Sequence, residues 1–296
     1  MESLAGSRPR FPKRGVLYAQ AGILLLLATW LFGPFALRMA SQWWQDPNYT
    51  HGFFVPVFSM FLLWERRAKL AAIRVKPAWS GLIILLVALI ALVQGTLESG
   101  FFLYRVSVLL FIAGMVVFLA GWKHLAAISF PLAFLVLMTP SSTLMQQLTF
   151  PLQIIASKIA TFLLMVAGIP AIREGNIILL PSAQLEVAEA CSGIRSLFAL
   201  LTLTIVYGYL AETKNGVRVM LAVMAVPISV FANALRIAFT GVVVEHWGVE
   251  RAEGLIHSLS GWLVFVASLA LIFLLHRMLQ ILWSGAGEPS GQEEYA

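Results

Sequence analysis

The chain has 296 residues, of which 60% are hydrophobic and only 11% are charged. A soluble domain usually carries about a quarter charged residues, so this composition excludes a soluble globule and indicates a protein embedded in lipid. The formal net charge of +6 does not indicate binding to nucleic acid. The lysines and arginines fall in short segments between apolar blocks, as they do in membrane proteins.

Apolar blocks approach the roughly 20 residues that a helix needs to cross a bilayer, and they predict an all-α integral membrane protein with about eight transmembrane helices. The predicted spans are 17–37, 51–64, 79–97, 101–121, 125–139, 192–210, 217–244 and 257–283. Together they make a polytopic membrane domain over 17–283. The basic residues 1–16 predict a cytoplasmic start before a first helix that is retained, and not removed as a signal peptide. The Gly-, Glu- and Ser-rich residues 284–296 predict a disordered cytoplasmic tail.

The segment 140–190 departs from this pattern and begins with an interrupted helix. Its part 144–167 has helical periodicity, but it contains Gln153 and Lys158 and is interrupted by Pro151. Polar side chains and a proline are unfavourable inside a bilayer, so the pattern predicts a helix that lies at the membrane interface without a net crossing.

The remainder of the insert changes from helical to strand periodicity. Residues 176–180 and 184–188 are separated by Pro181 and Ser182, which predicts two short strands joined by a turn. Open strand edges do not occur in hydrocarbon. We therefore expect 140–190 to be a small periplasmic insert, an interfacial helix followed by a short β-hairpin.

Positive charge predicts the orientation of the chain. With a cytoplasmic N-terminus and no crossing by 144–167, most of the 20 lysines and arginines fall on the cytoplasmic side. A crossing by 144–167 would instead place Lys214, Arg218 and Arg277 outside, against this bias. The distribution predicts eight spans with both termini cytoplasmic.

This topology brings Cys191, Arg236 and His257 to the outer face of the membrane. Cys191 is at the start of the sixth predicted span, Arg236 is near the outer end of the seventh, and His257 opens the eighth. A thiol, a guanidinium and an imidazole at one face are the parts of a nucleophilic site. We expect Cys191 as nucleophile, since a helix N-terminus favours its thiolate, and His257 as general acid and base, with His246 as a competing base on the same side. Arg236 does not deprotonate, so it suits an oxyanion or a substrate carboxylate.

Three further residues are expected to support this site. Arg195 follows the cysteine by four residues and is suited to stabilise the thiolate or to anchor at headgroups. Asn233 shares a helical face with the arginine, and Glu253 precedes the histidine by four residues and is suited to orient the imidazole. A single cysteine excludes an intrachain disulfide, and a lone cysteine is more often a packing residue than a nucleophile.

A second polar cluster, 43–52, lies on the outer side between the first two spans. Its Asp46 and His51 are candidates for substrate binding, although the aromatic residues around them fit an interfacial belt equally well. An arginine that snorkels to the headgroups remains the alternative for Arg236. Neither a metal-ligand spacing nor a phosphate-binding glycine loop is present in the sequence, so no metal or cofactor is expected.

Three blocks of sequence resemble the exosortase/archaeosortase superfamily. They are Ala-Cys-Ser-Gly-Ile-Arg-Ser-Leu at 190–197, Asn-Ala-Leu-Arg-Ile at 233–237 and Ile-His-Ser-Leu-Ser-Gly-Trp at 256–262. The block Asp-Pro-Asn-Tyr-Thr-His-Gly-Phe at 46–53 and the predicted turn at 173–176 are also similar, so the resemblance runs from about residue 43 to about 283.

This resemblance implies a membrane cysteine protease or transpeptidase of bacteria that make exopolysaccharide. Such enzymes act on proteins with a C-terminal sorting tail (PEP-CTERM type), which has a Pro-Glu-Pro motif, one transmembrane helix and a basic cluster. The invariant cysteine, arginine and histidine of the family correspond to Cys191, Arg236 and His257. The alternative is a non-enzymatic transporter or scaffold subunit of an envelope polysaccharide export system. A membrane glycosyl- or acyltransferase is less favoured, because the outer acidic residues form no clear constellation.

Overall fold

A computed structural model describes residues 14–97, 102–138, 142–187, 194–252 and 255–284. Among these residues, seven helices are long and apolar enough to cross a membrane, and one small sheet is present. The predicted helical membrane class is therefore confirmed. Nearly all of the predicted N-terminal segment and C-terminal tail lies outside the described residues. The chain divides into two compact units, Met1–Asp46 with Gly52–Ser141, and Pro47–His51 with Ser142–Ala296.

The first unit consists of helices only. They are α1 (Arg14–Gln45), α2 (Phe54–Glu65), α3 (Arg67–Ala72), α4 (Ser80–Leu97), α5 (Phe102–Leu119) and α6 (Trp122–Phe134), which continues as a 3-10 turn, Leu135–Met138. Helices α4 and α5 form an antiparallel pair in which Gly81 and Gly95 lie against the backbone at Phe118 and Tyr104. A Cβ atom at either glycine would overlap that backbone, so small residues permit the close approach, as is common between membrane helices.

Two of the predicted spans are short helices in the first unit. The predicted span 51–64 corresponds to α2 with only 12 residues, and 125–139 corresponds to α6 and its 3-10 extension. Both are shorter than the roughly 20 residues that a perpendicular crossing needs. They are joined where Ser59 Oγ donates to the Pro131 carbonyl at 3.1 Å and Arg66 donates to the Ala127 carbonyl at 2.9 Å.

The second unit is built around one long helix. Its elements are α7 (Ser142–Val166), β1 (Ile172–Glu174), β2 (Ile177–Leu179), β3 (Gln184–Glu186), α8 (Ile194–Ala211), α9 (Asn215–Trp247), α10 (Val249–Ala252) and α11 (Leu255–Ser284). Helix α9 packs against α7, α8, α10 and α11. A buried apolar cluster joins α7, the sheet and the C-terminal half of α9, so the sheet packs against the core of this unit.

The sheet has three antiparallel strands in the order β1-β2-β3. The two predicted strands are present as β2 and β3. A third strand replaces the first half of the predicted turn at 173–176, since Arg173 and Glu174 pair with β2. The turn itself is confined to Gly175 and Asn176, and Gly175 has the positive φ of 63° that favours glycine.

Helix α7 is continuous through Pro151, contrary to the predicted interruption. Its polar residues Thr149, Gln153, Ser157 and Thr161 recur every four residues, and all are buried. These side chains therefore face the protein. From sequence alone, a polar face buried in protein looks the same as one that contacts headgroups, which is why an interfacial helix was predicted. Residues Gln147–Val166 are long and apolar enough for a crossing. The count of eight spans stays a prediction.

Candidate functional site

Arg236 of α9 lies against the N-terminal part of α11. A Cβ atom at Gly261 would be 3.5 Å from Arg236 Cζ, so the guanidinium rests directly on the α11 backbone at that glycine. Arg236 is itself half-buried, and Thr240 Oγ1 donates to its carbonyl at 3.0 Å. A Cβ atom would fit at position 261, but a longer side chain would take the space that the guanidinium occupies.

His257 lies in the first turn of α11, one helical turn before Gly261. Residues four apart share a helical face, so position 257 is on the face of α11 that meets Arg236. The His257 side chain lies outside the described part of the chain. Cys191 and Glu253 lie outside the described residues altogether. Cys191 is four residues after Val187 and three before the start of α8.

A small cavity opens beside Arg236. It is lined by Leu185, Glu186, Val187, Arg236, Ile237 and Thr240. Its wall is therefore shared between α9 and the end of β3, the strand from which the chain continues toward Cys191. Apolar atoms form nearly all of its exposed surface, which suits an apolar group of a ligand.

The sheet is attached to the last turns of α9 at two points. Ser182 Oγ, in the turn between β2 and β3, donates to Glu245 Oε2 at 2.7 Å. A Cβ atom at Gly241 would be 2.9 Å from Leu164 Cδ2 and 3.3 Å from Leu185 Cδ1, so α7 and β3 meet α9 closely at this glycine. These contacts fix β3 relative to the helix that carries Arg236.

The start of α8 is held by the short segment Pro47–His51, which belongs to the same unit. Arg195 Nε donates to Asn48 Oδ1 at 3.1 Å. His51 is buried, and its ring is parallel to that of Phe198 with the centroids 6.1 Å apart. The first turn of α8, which begins three residues after the cysteine, is thus supported by Asn48, a residue that sequence reasoning missed.

The other predicted supporting residues belong to different elements. Asn233 is buried in α9, about one turn before Arg236, with 3% of its surface exposed. Asp46 follows the last residue of α1, where its backbone N–H donates to the Gln42 carbonyl at 2.9 Å. It belongs to the first unit, whereas Arg195, Asn233 and Arg236 belong to the second.

A separate polar cluster surrounds His276 of α11, which is only 2% exposed. Its Nδ1 is 2.7 Å from the Tyr207 hydroxyl, and its Nε2 is 3.2 Å from Glu212 Oε2. The other Glu212 oxygen accepts the N–H groups of Thr213 and Lys214. The backbone N–H of Lys214, followed by His276, lowers the pKa of Glu212 to about 2. This cluster lies at the end of α8 opposite Arg195.

The family model described as transmembrane exosortase matches residues 43–274. This range covers most of both units and contains every candidate residue of the site. No curated protein and no solved structure matches the chain.

Proposed function

The chain belongs to the transmembrane exosortase family, and from this membership and the geometry around Arg236 we propose that it is a membrane-embedded cysteine protease or transpeptidase. Its substrates are exported, membrane-anchored proteins with a PEP-CTERM-type sorting tail. It cuts these tails at the periplasmic face of the bacterial inner membrane, in the sorting of proteins linked to exopolysaccharide. The chain's own residues catalyse the cleavage, and no cofactor takes part.

The position of Arg236 is the observation that carries this proposal. A cation within an apolar helix costs about 3 kcal/mol on insertion scales, so it is retained where it has a role. Its guanidinium lies on α11 at Gly261, on the helical face that also carries position 257. A guanidinium beside a candidate general base is placed for stabilising a developing oxyanion in a low-dielectric site.

Chain length supports the participation of Cys191. Val187 lines the cavity beside Arg236, and four residues of chain span at most about 14 Å. From the other side, Ile194 begins α8, which Arg195 and Asn48 hold at its first turn. Chain length therefore limits Cys191 to within about 14 Å of Val187, a residue of the cavity wall.

The reaction proceeds through a thioester. His257 accepts the proton of the Cys191 thiol, and the Sγ thiolate attacks the scissile carbonyl carbon, whose oxygen becomes an oxyanion held by Arg236. The carbon–nitrogen bond then breaks, and the imidazolium returns its proton to the leaving amine. Water or a neutral acceptor amine attacks the thioester carbon while His257 takes up its proton, and the carbon–sulfur bond breaks as the imidazolium returns that proton to the Cys191 sulfur.

The charge distribution supports a periplasmic site. Lys214 and Arg218 lie around the start of α9, whereas Arg236 lies toward its other end. The positive-inside bias places the α8–α9 connection in the cytoplasm, so the cavity end of α9 faces the periplasm. A tail whose basic cluster stays in the cytoplasm would then present its cleavage motif at the cavity.

A processing assay tests this function. The chain is co-expressed with a reporter that ends in a sorting tail from the same genome, and loss of the tail is followed by gel shift and mass. The variants are Cys191→Ala, Arg236→Ala and His257→Ala. His246→Ala is the matched control, because this exposed histidine near the end of α9 bonds only to the Val242 carbonyl of its own helix. We expect cleavage by the wild type and by His246→Ala, and none by the other three.

Two results would contradict the proposal. Equal cleavage by Cys191→Ala would assign the reaction to another protease. No cleavage of native tails by the wild type, together with a silent Cys191→Ala in cells, would favour the scaffold role in polysaccharide export.

A further inference from the structure

We propose that the outer edge of β3 binds the substrate tail as an added fourth strand, which delivers the scissile bond to Cys191. This inference rests on the proposed protease function and specifies how its substrate is held. It concerns the backbone of β3, a part of the chain to which the expected reaction assigns no role.

The hydrogen bonds of the β2–β3 hairpin define which backbone groups are used within the sheet. Val187 N–H donates to the Asn176 carbonyl at 3.0 Å, and Leu180 N–H donates to the Ala183 carbonyl at 2.8 Å. In an antiparallel pair, directly bonded residues alternate with residues whose N–H and C=O groups face away from the partner strand. The two observed bonds therefore determine the pattern for the residues between them.

The pattern leaves two residues of β3 facing outward. Leu185 pairs with Ile178 and is two residues from both Ala183 and Val187, so its backbone groups also face β2. Gln184 and Glu186 alternate with it, so their N–H and C=O groups point to the outer edge. Both residues are exposed, and among the described residues no fourth strand pairs with this edge. An unpaired edge of this kind is a template for pairing with another chain.

The edge of β3 is rigid, which favours binding. Leu185 packs against α9 at Gly241, the adjoining turn is tied to Glu245, and Ser157 Oγ of α7 donates to the Gly175 carbonyl at 3.2 Å. A preformed edge loses little conformational entropy when a peptide pairs with it. Most of the conformational entropy lost on binding is therefore that of the flexible tail segment.

The location of the cavity selects β3 over β1. The outer edge of β1 is also exposed, but the cavity with Arg236 lies against the end of β3. The chain runs from β3 to Cys191 in five residues, so a peptide beside β3 is led toward the thiol. The guanidinium complements an acidic side chain or a carbonyl oxygen of that peptide. The occupant is therefore an extended segment of the sorting tail that carries an acidic residue.

A Pro-Glu-Pro segment can pair with such an edge only when its glutamate faces β3. Proline has no N–H group and is tolerated in an edge strand where that position faces away from the sheet. The two prolines are two residues apart, so both face outward when the N–H of the central glutamate faces β3. N-methylation of that glutamate should abolish pairing, whereas N-methylation of the other residues that face outward and carry an N–H should not.

The first test uses three variants in the tail-cleavage assay. Glu186→Ala removes only the carboxylate of a residue at the binding edge, and Glu186→Pro also removes its outward N–H without removing a bond to β2. Arg173→Pro is the matched control, because its N–H faces the outer edge of β1. We expect Glu186→Pro to cleave about tenfold more slowly than Glu186→Ala, as for the loss of a strand-pairing hydrogen bond. Arg173→Pro should stay within about twofold of the wild type.

The second test uses the wild-type chain, so that a folding defect in a variant cannot determine the result. Synthetic tail peptides with a single N-methyl group at successive positions compete with the reporter for cleavage. Strand addition predicts loss of competition at alternate positions, including the glutamate. Wild-type cleavage with a smooth dependence on position, or full activity of Glu186→Pro, would overturn strand addition and leave the protease function intact. No wild-type cleavage would instead refute the protease function, and strand addition with it.

Discussion

At the residue scale, Gly261 determines whether the guanidinium of Arg236 can lie on α11. A Cβ atom would stand 3.5 Å from Arg236 Cζ, an ordinary van der Waals distance, so Gly261→Ala should retain activity. Gly261→Leu would occupy the space of the guanidinium and should lower tail cleavage by at least about tenfold, as does the loss of an oxyanion donor. Gly216→Leu, at a glycine of α9 with no atom near its Cβ position, is the control. Full activity of Gly261→Leu would contradict the assigned role of Arg236.

A second residue-scale prediction concerns Glu212, whose pKa is lowered to about 2 by the Lys214 N–H and by His276. Its folded pKa lies below the ordinary value of 4.5, so its stabilising effect is complete above about pH 4.5 and is lost as the pH falls toward 2. Glu212→Gln should therefore melt below the wild type at pH 6, and the difference should narrow below pH 4.5. Thermal unfolding of both proteins in detergent, at pH 6 and below pH 4.5, measures this difference in melting temperature. A difference that does not change with pH would contradict this account.

Several residues of these sites could not be found from sequence for one common reason. Asn48 supports Arg195 across more than a hundred residues of chain, and His276 meets Tyr207 and Glu212 from another helix. Hydrophobic periodicity places a residue on a face of its own helix, but it does not reveal the polar partner that covers it. The convergence of α9 and α11 near Arg236 was predictable, because two consecutive antiparallel spans bring the C-terminal end of the first next to the N-terminal end of the second.

At the element scale, long apolar runs predicted the helices well. The spans 79–97, 101–121 and 217–244 are each within a few residues of α4, α5 and α9. Helix α7 was harder, because its polar residues face the protein and its Pro151 does not break it. Neighbouring elements satisfy the backbone groups that a proline frees inside a membrane protein. Strand β1 was missed because three residues beside a glycine give no period to detect.

Packing at Gly241 gives a prediction for the sheet. A Cβ atom there would come within 2.9 Å of Leu164 Cδ2 and 3.3 Å of Leu185 Cδ1, so a valine side chain would have to displace these leucines. Gly241→Val should destabilise the chain by about 1–3 kcal/mol through overpacking. It should also lower cleavage, since β3 would move away from Arg236. The melting temperature and the cleavage rate are compared with those of Gly216→Val. Wild-type values for Gly241→Val would show that β3 does not depend on this contact.

At the scale of the whole molecule, the length of α9 separates the two polar regions. Its 33 residues extend about 50 Å, beyond the roughly 30 Å of a hydrocarbon core. Arg236 lies about 16 Å before the C-terminal end, on the side of the sheet. The cluster of Glu212 and His276 lies near the other end, where the basic loop Lys214–Arg218 predicts the cytoplasm.

Cysteine labelling tests this orientation. Cys191 is the only cysteine of the chain, so Cys191→Ala provides a background for single substitutions. In this background Glu174→Cys, at the sheet, should react with a membrane-impermeant maleimide in intact spheroplasts. Thr213→Cys, before α9, should react only after permeabilisation. Both positions are exposed, so reactivity reports the side of the membrane. The reverse pattern would place the cavity in the cytoplasm and contradict periplasmic cleavage.

Detection of the acyl-enzyme tests the proposed thioester mechanism most directly. The chain is mixed with a synthetic sorting tail, the reaction is quenched with acid, and peptides that contain Cys191 are analysed by mass spectrometry. We expect Cys191 to carry the N-terminal part of the tail in a thioester, which hydroxylamine releases and Cys191→Ala abolishes. Cleavage of the tail without an adduct at Cys191, and undiminished in Cys191→Ala, would contradict it.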